Sequence, residues 1–392
     1  MKNKRASLTI IFFTVFIDLM GFGILIPILP TFASKNLGVS DFGIGVLIAI
    51  YSFLQFIFNP ILGKLSDKIG RRPVIITSLS FTAVSYIIFS FSTTFWMLFL
   101  SRLIAGIGGS NIGVAQAYIA DITEKSERSK GMGMIGAAFG LGFVFGPFIG
   151  GLLSSYSYMI AGFGAAAFSF TAFLFAIFML PESIKIKSKE KFKIKLFDFP
   201  YAKTILSRPQ LGLLVGIFFI IVFSMANIYG TFALLGYKIY HFSDQQNGYL
   251  YGIIGIVSAA MQGGMIRFLS NKFEDKTLVI SGIIFMMTGL GLLPYGGNFT
   301  GLALIAVVLA LGTGLLQPVI LSMISKVSSD SEQGAVLGLN SSFASFARVL
   351  GPLWGGFAFE FIGYQFPFLT GALFTFITLT IVLKYLNKKI NN

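Results

Sequence analysis

The chain has no cysteine, a single histidine and few charges: of its 392 residues only 11% are Asp, Glu, Lys or Arg. Without cysteine there are no disulfides, thiol nucleophiles or cysteine-held metals. The one histidine, His241, falls in a short polar loop, where a solvated side chain is the simpler reading than a proton carrier. Also lacking are a phosphate-binding glycine loop, a nucleophile and base at workable spacing, and any polar stretch longer than residues 181–210. These gaps argue against an integral-membrane enzyme or sensor and against direct drive by ATP. The expectation is therefore no catalytic residue, no cofactor and no metal.

What is abundant is apolar: 55% of residues are hydrophobic, 16% are aromatic, and the mean hydropathy is +0.84. Runs of about 20 apolar residues, enough to cross roughly 30 Å of hydrocarbon, recur along the whole chain. Twelve are expected, at about 8–31, 43–63, 74–93, 95–120, 131–154, 158–180, 211–236, 246–268, 277–295, 299–324, 334–359 and 364–384. The first is too long for a cleaved leader and is not followed by a small-residue cleavage site, so it reads as a spanning helix.

The net charge of +14 is explained by where the charges lie. Lys and Arg gather at both termini and in every second loop, whereas the opposite loops hold only Lys35 and Lys238, and only Arg102 and Arg348 fall within spans away from the span ends. This asymmetry is the positive-inside pattern, which puts both termini in the cytoplasm and makes the basic balance topological, with attraction to anionic lipid and no nucleic-acid partner. The stretch 181–210 is the longest and most lysine-rich of the loops. It separates an N-terminal six-helix half (1–181) from a C-terminal one (211–392), with 182–210 as a basic cytoplasmic linker.

The halves resemble each other at a fixed offset. "GPFIGG" at 146–151 returns as "GPLWGG" at 351–356, an offset of 205, and at that offset Glu127 lies over Glu332 and Gly133 over Gly338. Repeated six-helix halves are the mark of transporters that work by alternating access.

Three stretches carry chemistry. The loop "GKLSDKIGRRP", 63–73, holds Gly63, Asp67, Gly70, Arg71 and Arg72. Gly63 is expected to permit close helix approach, and Asp67 to sit near a positive helix N-terminus. Arg71, four residues beyond Asp67, is expected to pair with Asp121 as well. The fourth span, "LSRLIAGIGGSNIG", buries Arg102 at a depth that costs at least about 2.5 kcal/mol, so a partner or cavity is required. Asp18, in "FIDLMGFGILIPILP", lies near the midplane of the first span and is the expected partner. In "GLGFVFGPFIGG", 140–151, Gly142, Gly146 and Gly150 make one smooth face, Pro147 removes a backbone donor, and Gly151 completes a motif repeated at Gly351 and Pro352.

These residues carry a family resemblance. The 63–73 loop resembles the signature loop of the major facilitator superfamily, and Arg102 with Gly106 and Gly109 resembles its fourth-span motif. The Asp18 segment and the glycine motif resemble those of its drug/proton antiporters, among them tetracycline/proton and related multidrug exporters. The resemblance covers essentially the whole chain. It implies an all-α integral membrane fold of twelve helices in two pseudo-symmetric halves, and proton-coupled export of small hydrophobic or cationic compounds by a monomer. It also implies that Asp18 and Arg102 couple to protons and that Gly63, Asp67, Gly70, Arg71, Arg72 and Asp121 form a cytoplasmic gate. Tetracycline exporters carry further membrane acids where this chain has Ser85 in "AVSYIIFSFS" and no acid in "ISGIIFMMTGLGLL", so tetracycline itself fits less well than a broader drug or a cell metabolite. A proton-coupled sugar or organic-acid importer fits less well again, because few polar residues lie in the spans. Phe22, one turn from Asp18, with Gln55, Asn111, Asn227, Gln317 and Arg348, are the candidate substrate contacts. Each polar one could equally join helix to helix.

Overall fold

The computed structural model describes residues 2–124, 128–184, 199–329 and 332–388. Among them all regular structure is helical: α1 (Lys2–Leu37), α2 (Asp41–Ile69), α3 (Arg71–Ser90), α4 (Phe95–Gly108), α5 (Ile112–Ile122), α6 (Arg128–Ser154), α7 (Tyr158–Met179), α8 (Phe199–Leu206), α9 (Pro209–Leu234), α10 (Asp244–Ala260), α11 (Ile266–Lys272), α12 (Asp275–Leu292), α13 (Phe299–Val327), α14 (Gln333–Phe361) and α15 (Phe366–Lys388). Eleven helical segments are long and apolar enough to span a membrane, so this is an integral, multi-pass membrane protein. The eleventh expected span is α14, 29 residues long, which is not among those eleven; Asn340, Ser341, Ser342, Ser345 and Arg348 lower its apolarity. Large apolar side chains left exposed, such as Trp96, Phe178 and Leu304, suit a surface solvated by lipid.

Local chemistry places several helix starts. Thr94, Ser157 and Asn298 each accept the N–H three residues ahead, at 3.3, 3.0 and 2.8 Å, and so begin α4, α7 and α13. The fourth span is broken: a 3-10 turn at Gly109–Asn111 separates α4 from α5, with Ser110 at φ −78° and ψ 15°. Adjacent glycines at 108 and 109 favour helix weakly, and the Ser110 hydroxyl donates back to the Gly106 carbonyl at 2.8 Å. Short π-turns at Leu235–Ile239 and Met261–Met265 extend α9 and join α10 to α11. Helix α8 lies within the expected linker; residues 185–198 of that linker, and Glu127 of the repeat, lie outside the described residues.

The helices form two compact units, one of Met1–Val39, Ile50–Leu196 and Ser243–Gly252, the other of Ser40–Ala49, Phe197–Phe242 and Ile253–Asn392. In the first, α1 packs on α6 and α7, and α3 on α7 and α4. Small residues permit this closeness: Ala161, Ala165, Ala172 and Ala176 of α7 are fully buried, and Gly142, Gly146 and Gly150 of α6 lie on α1. A Cβ at Gly150 would stand 2.3 Å from the Ile24 carbonyl oxygen. Pro147 and Gly151, on another face of α6, meet the start of α10, where a Cβ at Gly248 would stand 2.5 Å from the Pro147 carbonyl oxygen. Tyr158 closes that contact by donating to Asp244 Oδ2 at 2.7 Å.

The second unit repeats the arrangement. Gly351 and Gly355 of α14 lie on Asn227 of α9, while Pro352 and Gly356 meet the start of α2, where a Cβ at Gly45 would stand 2.3 Å from the Pro352 carbonyl oxygen. Each "GPxxGG" copy thus has two close-packed faces. Asp41, the first residue of α2, takes Lys238 Nζ at 2.6 Å, and the next residue, Phe42, donates its N–H to Glu360 at 2.8 Å. Near the start of α14, Arg208 Nη1 lies 2.6 Å from Glu332, and its hydrogen bond holds that carboxyl below the ordinary glutamate range. Both side chains meet solvent, so the pair is screened by salt.

Candidate functional site

Two polar constellations are built in the first unit. One surrounds Arg71, the first residue of α3, whose guanidinium reaches Asp67 at 2.7 Å, Asp121 at 3.1 Å and Ser66 Oγ at 2.5 Å. The expected pairing with both acids is present. One detail differs from the sequence reading. Gly63 has no atom within 4 Å of where a Cβ would stand, so it is no close helix contact; its carbonyl instead accepts Ser66 Oγ at 2.6 Å and Arg71 Nη1 at 3.4 Å.

The carboxylate at the N-terminus of α3 belongs to Glu182. Glu182 accepts the N–H of Arg71 at 2.9 Å and of Arg72 at 3.2 Å, supplying the cap that Gly70 cannot. Gly70 holds φ 115°, and a Cβ there would lie 2.2 Å from the Glu182 carboxylate. Ser183 Oγ donates to Asp121 at 2.9 Å and Arg72 Nη2 to the Ile177 carbonyl at 2.7 Å, so the segment leaving α7 is tied to α3 and α5. Replacing Glu182 by Ala removes a charged cap and should lower stability by about 1–2 kcal/mol. A lower melting temperature in detergent is the expected result; an unchanged one would discard this role for Glu182.

The second constellation surrounds Asp18, buried in α1. Its carboxylate accepts Ser169 Oγ of α7 at 2.8 Å and Asn111 Nδ2, at the break between α4 and α5, at 3.3 Å. The expected ion pair with Arg102 is absent among the described residues. Arg102, 3% exposed, donates to Ser101 Oγ at 3.1 Å and sits 5.9 Å from the ring centroids of both Tyr86 and Phe89, with its Nε unpartnered. Aromatic faces and a hydroxyl house this cation in place of the carboxylate. Ser101 Oγ in turn donates to the Ser85 carbonyl at 2.7 Å. Tyr86 interacts electrostatically with Asp18, Tyr51 and Arg102.

The candidate substrate residues divide. Phe22 stacks on Tyr51 at 5.2 Å and meets Phe143 edge-on at 6.0 Å, within the same region as Asp18. Gln55 donates to the Tyr51 hydroxyl at 2.9 Å and to the Gly109 carbonyl at 3.0 Å, so it supports the helix break. Asn111 binds Asp18. Asn227, fully buried, donates to the Pro367 carbonyl, and its Oδ1 lies against Gly355, so it joins α9 to α15 and α14. Gln317 is half-buried one residue before Pro318 in α13. Arg348 is half-buried, donates to Ser345 Oγ at 2.9 Å, and acts electrostatically on Tyr229 of α9. Within the first unit, Asp18, Asn111, Phe22 and Gln55 are brought near one another. His241 is exposed in the turn before α10. Ser169, Tyr86 and Glu182 were passed over by sequence reasoning; for Glu182, an acid directly after the last residues of the sixth span was the available signal.

The chain matches the family model of the Major Facilitator Superfamily over residues 11–298 and 264–390. Multidrug resistance protein 1 of Bacillus subtilis is 32% identical over 387 residues, 98% of this chain and 98% of that protein. Tetracycline resistance protein, class E, of Escherichia coli is 33% identical over 351 residues, covering 88% of this chain and 86% of that one. Among solved structures, the human organic anion transporter MFSD10 aligns with a TM-score of 0.71 at 24% identity, over 97% of this chain and 99% of that one. The nucleoside transporter NupG aligns with a TM-score of 0.77 at 15% identity, over 96% of this chain and 98% of that one. At those identities the structures speak for the fold alone. With helices that span a membrane, a repeated glycine-proline motif and relatives of this identity at nearly full length, the chain belongs to the major facilitator superfamily of membrane transporters.

Proposed function

We propose that this transporter is a proton-coupled exporter of small hydrophobic or cationic compounds, acting as a monomer in the cytoplasmic membrane with both termini inside. The observation that carries the reading is Asp18: a buried carboxylate held by two neutral donors, with no cation bonded to it among the described residues. A carboxylate in that setting can take up and release a proton as water reaches it or leaves. In this reading Asp18 releases its proton inward when substrate loads, and protonation from outside favours substrate release and return. The membrane potential contributes about 2.3 kcal/mol per elementary charge per 100 mV.

The relatives are a multidrug resistance protein and tetracycline resistance proteins, which supports export of a drug-like compound. Ser85, where a tetracycline exporter carries an acid, is buried and donates to the Thr82 carbonyl at 2.7 Å, which favours a broader hydrophobic substrate over tetracycline. Phe22 and Tyr51 offer it an aromatic surface beside Asp18. The Arg71 cluster, with Asp67, Gly70, Arg72 and Asp121, serves as the cytoplasmic gate in this scheme.

The test is purified protein in liposomes loaded with a pH dye, challenged with ethidium, tetraphenylphosphonium, tetracycline and neutral drugs. Proton movement is expected with the lipophilic cations or neutral drugs and to be weaker with tetracycline. No proton movement with any of them would overturn drug export and turn attention to a cell metabolite.

A further inference from the structure

Asp18 accepts from two donors of different kinds. Ser169 offers a hydroxyl, which can reverse its hydrogen bond and accept from a protonated acid. Asn111 offers an amide N–H2, which has no lone pair to accept with, so its bond cannot reverse and weakens once Asp18 gains a proton and loses its charge. Asn111 is the last residue of the 3-10 turn that breaks the fourth span, next to Ser110, whose ψ of 15° is non-helical. The break is held elsewhere by Gln55, which takes the Gly109 carbonyl at 3.0 Å, and by the Ser110 hydroxyl. Asn111 is therefore the link between the charge on α1 and the shape of α4 and α5.

We infer that Ser169 and Asn111 are positioning residues of proton coupling: they hold Asp18 as a carboxylate, and the Asn111 contact ties its charge state to the break between α4 and α5. The inference rests on the proposed role of Asp18 and assigns what controls it. The ionisable groups around Asp18 are few. Tyr86 of α3 interacts with it directly, and Tyr51 of α2 and Arg102 of α4 act on Tyr86. Helix α6 has no ionisable residue after Lys130, in its first turn, and the one in α7 is Tyr158, bound to Asp244. In α5, Asp121 is engaged by Arg71 and Tyr118 donates to the Pro181 carbonyl at 3.0 Å. Ser169 and Asn111 are thus the two hydrogen-bond donors to the carboxylate.

The experiment is an infrared titration of the full protein in lipid, following the protonated-carboxyl C=O band that Asp18→Asn removes. The readout needs no substrate. Because both donors favour the charged form, the midpoint in Ser169→Ala should move to higher pH by about one to two units. Asn111→Ala should move it in the same direction and, unlike Ser169→Ala, raise hydrogen exchange at residues 109–112. Removing a single oxygen from Ser169 leaves a good helix former, so folding is retained. A Ser169→Ala curve superposed on that of the natural chain would overturn the assignment of Ser169. An Asn111→Ala midpoint or exchange pattern equal to the natural one would overturn the link to the break. Either result leaves the liposome assay to decide, separately, whether Asp18 couples transport.

Discussion

Asp18→Asn is expected to abolish drug-driven proton movement while leaving the protein folded. Asparagine has the shape of aspartate, and its amide oxygen can keep the Ser169 hydroxyl bond. The cost is on the other side, where two amide N–H2 groups face each other unless one turns, a loss of about 1–2 kcal/mol. Arg102 is not stranded by the change, because its hydrogen bond goes to Ser101 and its ring contacts to Tyr86 and Phe89. The amide takes up no proton in the working pH range, so coupled flux should fall on the order of a hundredfold or more, to the leak. The measurement compares initial rates of internal acid change, at equal protein per liposome, for the two proteins. A mutant that still moves protons at near the natural rate would reduce Asp18 to a static acceptor that fastens α1 to α7 and to the break in the fourth span.

Gly146→Ala should destabilise the protein, whereas Gly136→Ala, on the same helix, should not. A Cβ at 146 would lie 2.6 Å from the Gly23 Cα and 2.9 Å from the Met20 carbonyl oxygen, so backbone on α1 must move. Overpacking of that kind costs about 2–3 kcal/mol, a fall in melting temperature on the order of 5–10 °C. At Gly136 no atom lies within 4 Å of the added methyl, and alanine is favoured over glycine inside a helix by about 0.5–1 kcal/mol. Its melting temperature should stay level or rise. Equal melting temperatures for the two variants would show that α6 can shift away from α1 freely, and the glycine face would lose its packing role.

These predictions draw on both what was legible in the sequence and what was not. Helix-forming apolar runs and the repeat of "GPFIGG" as "GPLWGG" can be read directly, because lipid imposes a length and a composition on any segment it surrounds. The Arg71, Asp67 and Asp121 association was also readable, since two of its members are four residues apart and the third follows from charge. Pairing Asp18 with Arg102 failed for an instructive reason. Opposite charges were matched by depth alone, but the guanidinium is housed by Ser101 and two aromatic rings, and the carboxylate by neutral donors on other helices. Gly63 shows the same limit, without the packing expected of it.

By itself, then, the sequence determined that the chain crosses a membrane repeatedly, that it is built on a repeat, that it carries a loop rich in gate-like charges, and that it buries one acid in its first span. Each of these depends on neighbours along the chain or on the surrounding solvent. Tertiary structure alone decided that Asp18 meets Ser169 and Asn111, that Glu182 caps α3, and that each glycine-proline motif packs on two partners. Those choices depend on which helix faces meet, and that is set by small residues such as Gly146, Gly23 and Ala165, far apart in sequence, whose summed contacts bring the backbones within touching distance.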